Sequence, residues 1–534
     1  MINPVNRYPQ LFILLYSLII FGAGIWGASV ITMSDESDYI QSSEEMFDSG
    51  DLLSPTLRGE LRFTKPPLLY WMVAASYKVL GISYFSSRLP MVIFGVLTIL
   101  FVYRLGLLLF ERNAAMLAAL MTATSFGIIK FSKIAMMESP LTFTMVAAFY
   151  YFIRFYKEEK PKLLFASALF LGICSQLKSP VYPAICVMAM LLFLLSEGAI
   201  RRVFIKESVL ATGLLVLLTL PWYLIMILKY GSLFTDFYYY EHLVKFYEAT
   251  DYRMRVFVGI LLYFLPWTFY WIGAVYQTIA ARLYREWPYK FLLITTGLFL
   301  AIFVLPKSKG LYYAVPLLPY CGLLAGGVVA GSTRPQRLWD WLTAAALLLI
   351  ASVIAVAIIA LGSESLFSIA AIVLILAAAV LTLSRHRTIW PAILFGLSAI
   401  PIYLDILPAV NLEVIPVQKA LAIVGDRPVY VYDLTPLRLA NALGRTVTEI
   451  RGIEKLKAAL ENRGYVIIKQ PLYDTLDAGI KNDTKIDLQW PKWARKIPIA
   501  TAIDAIAHHR LDKAQVMLYL MTRRERQPDA EVPK

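Results

Sequence analysis

Long apolar runs recur along this chain, separated by short links rich in Lys and Arg, and a water-soluble fold has no way to bury so many of them. Runs long enough to cross a bilayer fall near residues 11–31, 88–110, 114–129, 140–156, 162–177, 181–196 and 208–228, then 256–278, 290–306, 311–331, 341–361, 366–384 and 389–407. The expected fold class is therefore an α-helical polytopic membrane protein with about thirteen transmembrane helices. A hydrophobic fraction of 59% and a mean hydropathy of +0.63 agree. The formal net charge of +14 would suggest nucleic acid in a soluble chain. Here the cations cluster between apolar runs, as orientation signals do, so the expected surroundings are a lipid bilayer and no nucleic-acid partner is expected.

With a cytoplasmic N-terminus every even-numbered link is basic: Arg104 and Arg112, then Arg154, Lys157 and Lys160, then Arg201, Arg202 and Lys206, and so on to Arg385 and Arg387. That orientation places the acidic first loop, the link holding Lys307 and Lys309, and the C-terminus outside. Arg7 precedes the first apolar run and no small-residue cleavage pattern follows it, which fits an uncleaved signal anchor. Cys174, Cys186 and Cys321 sit in or beside apolar segments without paired spacing, so neither disulfides nor a zinc site is expected.

Two domains are expected: a membrane domain over 1–409, whose first outer loop runs 32–87, and a C-terminal α/β soluble domain over 410–534. Within that loop, Pro66 to Gly81 is apolar but short and interrupted by Lys78, as an interfacial or re-entrant helix would be. In the C-terminal domain, Pro428 to Asp433 and Tyr465 to Lys469 read as strands, with a helix around Gly452 to Asn462 between them.

The outer links hold the chemistry. The first loop concentrates Asp35, Glu36, Asp38, Glu44, Glu45, Asp48, Asp51 and Glu60, then Arg58, Arg62 and Lys65 before Pro66 and Pro67. Lys130, Lys133 and Glu138 follow between later spans, Lys178 precedes Ser179 and Pro180, and Glu241, His242 and Lys245 crowd another outer loop. Positive-inside bias disfavours cations such as Lys178, Lys307 and Lys309 here, so an anion, naturally a phosphate, would compensate them. Each alone could instead snorkel to outer headgroups. Asp35 or Glu138 could accept a proton from an attacking hydroxyl while Lys65 stabilises charge on a departing phosphate oxygen. The plainer readings are a cap or solvated residue for Asp35, a helix N-terminal charge for Glu138, and a hydrogen-bonded loop residue for His242.

Three stretches of the first loop, Ser34-Asp35-Glu36-Ser37-Asp38-Tyr39, Glu45-Met46-Phe47-Asp48-Ser49-Gly50-Asp51 and Arg62-Phe63-Thr64-Lys65-Pro66-Pro67, resemble the first periplasmic loop of glycosyltransferase family 39. The nearest likeness is to bacterial aminoarabinose lipid A transferases and protein mannosyltransferase-like polyprenyl-phosphate sugar transferases. The resemblance continues through Met137-Glu138-Ser139-Pro140, Leu177-Lys178-Ser179, Glu241-His242-Leu243-Val244-Lys245-Phe246, Leu265-Pro266-Trp267 and Ser308-Lys309-Gly310-Leu311-Tyr312-Tyr313. It implies a GT-C fold in the bacterial inner membrane, with a cavity open to the periplasm. It also implies a sugar donor carried on undecaprenyl phosphate and a glycolipid acceptor, lipid A among them, or a protein one.

By resemblance, Asp35 and Glu138 match the paired acidic positions, with Glu36 beside Asp35. Lys65 matches the phosphate-contacting lysine, and His242 and Tyr313 match further cavity residues. Tyr39, Lys178, Lys245 and Lys309 complete the expected substrate-binding set. No cofactor is required by this reading, and a divalent metal ion held with the help of His242 stays open. Three positions depart from the family pattern: Asp38 where the aminoarabinose transferases carry Arg, Thr64 where they carry Glu, and Glu138 where they carry Asp. The competing class is a lipid or sugar transporter or flippase, which would place its ionisable residues near the bilayer middle rather than at the outer edge.

Overall fold

The computed structural model describes residues 8–27, 34–57, 59–244, 254–304, 310–332, 336–361, 365–384, 389–407, 417–434, 447–493 and 515–524. They form two compact units, one of residues 1–26, 38–354 and 366–404, the other of 27–37, 355–365 and 405–534.

The chain opens with α1 (Pro9–Gly22), α2 (Ser34–Ser49), a short hairpin of β1 (Thr56–Leu57) and β2 (Glu60–Leu61), and α3 (Leu68–Leu80). Next come α4 (Tyr84–Leu109), α5 (Arg112–Thr124), α6 (Phe126–Phe131), α7 (Glu138–Glu158), α8 (Lys162–Leu177), α9 (Val181–Ser196) and α10 (Lys206–Tyr230). They are followed by α11 (Ser232–Tyr239), α12 (Arg255–Tyr263), α13 (Thr268–Ala280), α14 (Trp287–Val304), a 3₁₀ segment (Leu311–Leu317) and α15 (Leu318–Gly331). The last apolar helices are α16 (Arg337–Leu361), α17 (Leu366–Leu383) and α18 (Trp390–Pro401).

Among the described residues, six helices are long and apolar enough to cross a membrane, or seven if the bent pair α12 and α13 is one span. The expected count of about thirteen spans is thus not established: α1, α8, α9 and α18 fall where spans were expected but are shorter apolar helices. Local chemistry sets the boundaries. At the start of α4 the Ser83 hydroxyl accepts from the Ser86 amide at 3.1 Å while the Ser83 amide donates to Ser86 Oγ at 3.0 Å, a reciprocal cap on otherwise orphaned donors. Gly81, just before it, holds a φ of 75°, which ends α3 in a conformation costly for any residue with a side chain.

Three expected spans are corrected. The run at 11–31 stops being helical at Gly22, and the next carbonyls are taken by cations: Arg88 Nη1 donates to Ile25 O at 3.0 Å and Lys133 Nζ donates to Ala23 O. The run at 114–129 breaks at Ser125, whose ψ of 140° is extended, and 256–278 breaks at 264–267 with a bend of 112°. The two breaks supply each other's partners. The Phe126 amide donates to Leu265 O at 3.0 Å and Trp267 Nε1 donates to Thr124 Oγ1 at 2.9 Å, so buried polar groups that hydrocarbon would leave unpaired are satisfied.

The second unit carries a five-stranded sheet of β3 (Val429–Tyr432), β4 (Val447–Ile450), β5 (Tyr465–Lys469), β6 (Thr484–Trp493) and β7 (Gln515–Arg523), in the order β4-β3-β5-β7-β6. β3 runs parallel to β4 and β5, and β7 antiparallel to β5 and β6. Tyr465 and Ile467 of β5 pack with Val429, Val431 and Leu520 on one face, while Val466 and Ile468 pack with Leu456, Leu460 and Met521 on the other. A central strand covered on both sides needs a continuous apolar run, which Tyr-Val-Ile-Ile supplies.

Candidate active site

Two helix ends create the centre of the site. α7 begins at Glu138, where amide groups without helical partners and the positive end of the helix dipole favour a carboxylate; α8 ends before Lys178, where the negative end favours a cation. α7 and α8 pack side by side. Lys178 Nζ donates to Glu138 Oε1 at 2.9 Å, and the two side chains are 3% and 1% exposed. Ser139 Oγ donates to Met91 O at 2.8 Å and so ties this end of α7 to α4. The second carboxylate oxygen, Glu138 Oε2, is buried with no hydrogen-bond partner among the described residues. It is an acceptor waiting for a donor.

Aromatic rings enclose the pair. The Lys178 ammonium lies 4.1 Å from the Tyr313 ring centroid, 5.2 Å from Tyr312 and 5.4 Å from Tyr182, all within cation–π range. Tyr312 and Tyr313 stack on one another at 5.1 Å, and Phe303 backs both Tyr313 and Tyr182. Lys130, on the neighbouring α6, rests over Phe131 and Tyr263 at 5.6 and 5.9 Å.

The first loop reaches the same group through Tyr39. Burial pushes the Tyr39 phenol well above its ordinary pKa, the nearby Tyr70 and Glu138 add to the rise, Arg62 opposes it, and Tyr312 adds a little more. Tyr70, on α3, lies 6.1 Å from Tyr39 ring to ring. Tyr39 therefore lies within electrostatic reach of Glu138, which Lys178 joins to Tyr313.

The other expected residues are placed as follows. Asp35 and Glu36 occupy the first turn of α2, where the helix dipole favours them; Asp35 is half-buried and Glu36 buried, in the 27–37 segment of the second unit. Lys65 is half-buried in the turn between β2 and α3. The backbone of His242 lies in a π-helical turn over Tyr240–Val244, but its side chain, Lys245 and Lys309 lie outside the described residues. No three of His, Cys, Asp and Glu gather to hold a metal ion among the described residues. Arg62, Tyr182 and Tyr312 lie beside these residues although none was among the expected site residues. Arg62 stands three residues before Lys65 and Tyr312 adjoins Tyr313, so adjacency was the available signal.

This helical architecture, with its buried charged site at helix ends, is shared with solved structures. Crystal structures of ArnT from Cupriavidus metallidurans match with a TM-score of 0.69 in both states: bound to undecaprenyl phosphate, 16% identity over 96% of this chain and 97% of that one; apo, 17% over 97% and 98%.

The family described as dolichyl-phosphate-mannose-protein mannosyltransferase matches residues 64–225. The undecaprenyl phosphate-alpha-4-amino-4-deoxy-L-arabinose arabinosyl transferase of Pectobacterium carotovorum is 29% identical over 367 residues, 66% of this chain and 64% of the relative. The protein of the same name from Pseudomonas aeruginosa is 28% identical over 332 residues, 60% of this chain and 59% of the relative. The chain thus spans less than two thirds of the length of these curated relatives. It is similar to members of glycosyltransferase family 39, the aminoarabinose transferases and the protein mannosyltransferases among them.

Proposed function

We propose that this chain is an inner-membrane glycosyltransferase that moves a sugar from undecaprenyl phosphate, or another polyprenyl phosphate, to an acceptor on the periplasmic side, lipid A or another glycolipid. The observation that carries the reading is the Glu138–Lys178 pair, buried under tyrosine rings and holding one carboxylate oxygen without a partner among the described residues. Such a site can orient a sugar: the rings offer flat apolar faces, and Glu138 Oε2 accepts from a sugar hydroxyl or amine.

In this scheme the acceptor oxygen attacks the anomeric carbon, the bond from that carbon to the phosphate oxygen breaks, and the lipid phosphate leaves with the bonding electrons. Lys65 stabilises the charge that develops on it. A lipid A phosphate is already anionic and needs no base; a hydroxyl acceptor must lose a proton, which Asp35 takes. Asp35→Asn is expected to abolish transfer to a hydroxyl acceptor, and near-normal turnover would remove Asp35 as the base. The scheme uses no cofactor, so turnover is expected to survive EDTA; loss of activity on chelation would bring in a divalent ion, with His242 its candidate ligand.

The decisive experiment incubates detergent-purified protein with an undecaprenyl-phosphate-linked sugar and lipid A and follows the product by mass spectrometry. A flippase needs two compartments and gives no product in detergent. The match of residues 64–225 to the mannosyltransferase family supports a second reading, a protein acceptor. Mass spectrometry of lipid A, glycans and exported proteins from a strain lacking this chain separates the two readings by which molecule loses one sugar.

A further inference from the structure

Two positions at which the first loop departs from the aminoarabinose transferase pattern, Asp38 and Thr64, converge on one side chain. Arg62 Nε donates to Thr64 Oγ1 at 3.3 Å, Nη1 donates to Ser42 Oγ at 3.3 Å, and Nη2 faces Asp38 Oδ2 at 3.8 Å. The guanidinium also lies 5.0 Å from the centroid of the Tyr39 ring. The Arg62 side chain is 13% exposed. Next to it, Phe63 is locked among Tyr230, Phe234 and Phe237 at 5.1 to 5.9 Å between ring centroids, so the backbone carrying Arg62 is fixed.

The fork is held still by two neutral hydroxyls, and its ion pair is loose. An N–O separation of 3.8 Å is beyond hydrogen-bond reach, so the contact of Nη2 with Asp38 is attraction without a bond. A rigid planar guanidinium matches the oxygens of a phosphate and loses little side-chain freedom on binding one. An internal carboxylate beside it lowers the cost of keeping the cation partly buried while the site is empty, and competes with an incoming anion.

We propose that Arg62 is a second phosphate-binding residue of the donor site, acting with Lys65, and that Asp38 is the internal anion that limits how tightly the phosphate is held. The inference rests on the polyprenyl-phosphate donor proposed above. It assigns opposite effects to two partners of one ion pair: removing Arg62 weakens phosphate binding, whereas removing the charge of Asp38 strengthens it.

The test measures binding of undecaprenyl phosphate to the full-length protein in detergent, with undecaprenol as the phosphate-free control. Arg62→Ala is expected to weaken undecaprenyl phosphate binding about tenfold and Arg62→Lys about threefold, since Lys keeps the charge but not the fork. Asp38→Asn is expected to tighten binding about threefold, and undecaprenol should bind all variants alike. Should Arg62→Ala fail to fold, Arg62→Lys and Asp38→Asn still decide the matter.

A merely structural pair predicts that Asp38→Asn weakens binding in parallel with Arg62→Ala, and that result overturns the inference. So does unchanged affinity in both Arg62 variants while the wild type binds. Inorganic phosphate binding as tightly as undecaprenyl phosphate would reassign the site to free phosphate and overturn the lipid assignment. Failure of the wild type itself to bind undecaprenyl phosphate would sink the proposed donor first, and is a separate result.

Discussion

Lys178 and Glu138 join the C-terminal end of one helix to the N-terminal end of its neighbour through a single 2.9 Å bond with almost no solvent exposure. Replacing one partner leaves the other charge buried alone, which typically costs about 3–5 kcal/mol, whereas replacing both removes the uncompensated charge. Lys178→Met and Glu138→Gln are each expected to lower the thermal unfolding temperature in detergent. The double variant should recover most of that loss while remaining inactive. If the double variant is as unstable as Lys178→Met, the ion pair is not what holds these helix ends.

The anchoring of the first loop gives a second expectation. Phe63 is 2% exposed and packs with Trp222, Met226 and Phe234, while Lys229 Nζ donates to Ser54 Oγ at 2.8 Å and to Asp51 Oδ2 at 3.2 Å as a further tie. Phe63→Ala removes the ring that fills this knot, a change worth about 3 kcal/mol where the site cannot collapse. Because Arg62 and Lys65 flank Phe63, the expected kinetic signature is a KM for the lipid donor raised about tenfold with a smaller change in kcat. Steady-state kinetics with varied donor check it; an unchanged KM would separate the aromatic knot from donor binding.

The apolar runs carried much of the membrane unit openly. α8 and α9 occupy the stretches read from sequence because Pro161 and Pro180 mark their starts and charge or Ser bounds them. The breaks at Ser125 and at 264–267 were hidden, since apolar composition runs through both and only tertiary pairing shows that they face each other. α2 was hidden for the opposite reason. Its buried positions include Glu36, Ser37, Ser42 and Ser43 beside Tyr39, Ile40 and Met46, so the inward face carries little hydrophobic period.

The site followed the same division. Glu138 and Lys178 stood out as lone charges in apolar surroundings, but their pairing across 40 residues could not be read. Nor could the meeting of Asp38 and Ser42 with Arg62, because contact between distant stretches of the sequence leaves no trace in local spacing. In the C-terminal unit β3 and β5 were legible as compact apolar runs, whereas β6 carries Lys485, Asp487, Gln489 and Lys492 with Pro491 among them and looks like a loop.

Close helix packing makes a third case. Gly322 and Gly326, four residues apart on α15, face α5. A Cβ on Gly326 would lie 2.7 Å from Ala118 N and 2.8 Å from Ala118 Cα, and one on Gly322 would lie 2.2 Å from Thr122 Oγ1. Backbone atoms cannot step aside, so small residues at this spacing set the helix separation, as in other membrane helix pairs. Gly326→Leu should cost at least about 2 kcal/mol in unfolding measurements. Gly297→Leu on α14, where an added Cβ meets nothing within 4 Å, is expected to be close to neutral, and equal loss in both would rule out the packing account.

Glu44 gives α2 a pH dependence whose sign can be worked out. Burial, then the neighbouring carboxylates of Asp48 and Glu45, push its pKa up from an ordinary 4.5 to about 7. Asp48 stands four residues along α2, where like charges repel. Because the folded value is raised, proton binding favours the folded helix. That contribution is complete below about pH 4.5 and is lost as the pH rises through about 7. The helix Ser34–Ser49 should therefore be better protected from hydrogen exchange at about pH 5 than at about pH 8, and Glu44→Gln should remove most of that difference. Since Tyr39 and Ser42 ride on this helix and hold Arg62, donor binding should weaken over the same interval in the wild type and not in Glu44→Gln. Equal protection of the wild type at both pH values would show that the Glu44 carboxyl is not held in its protonated form by the fold.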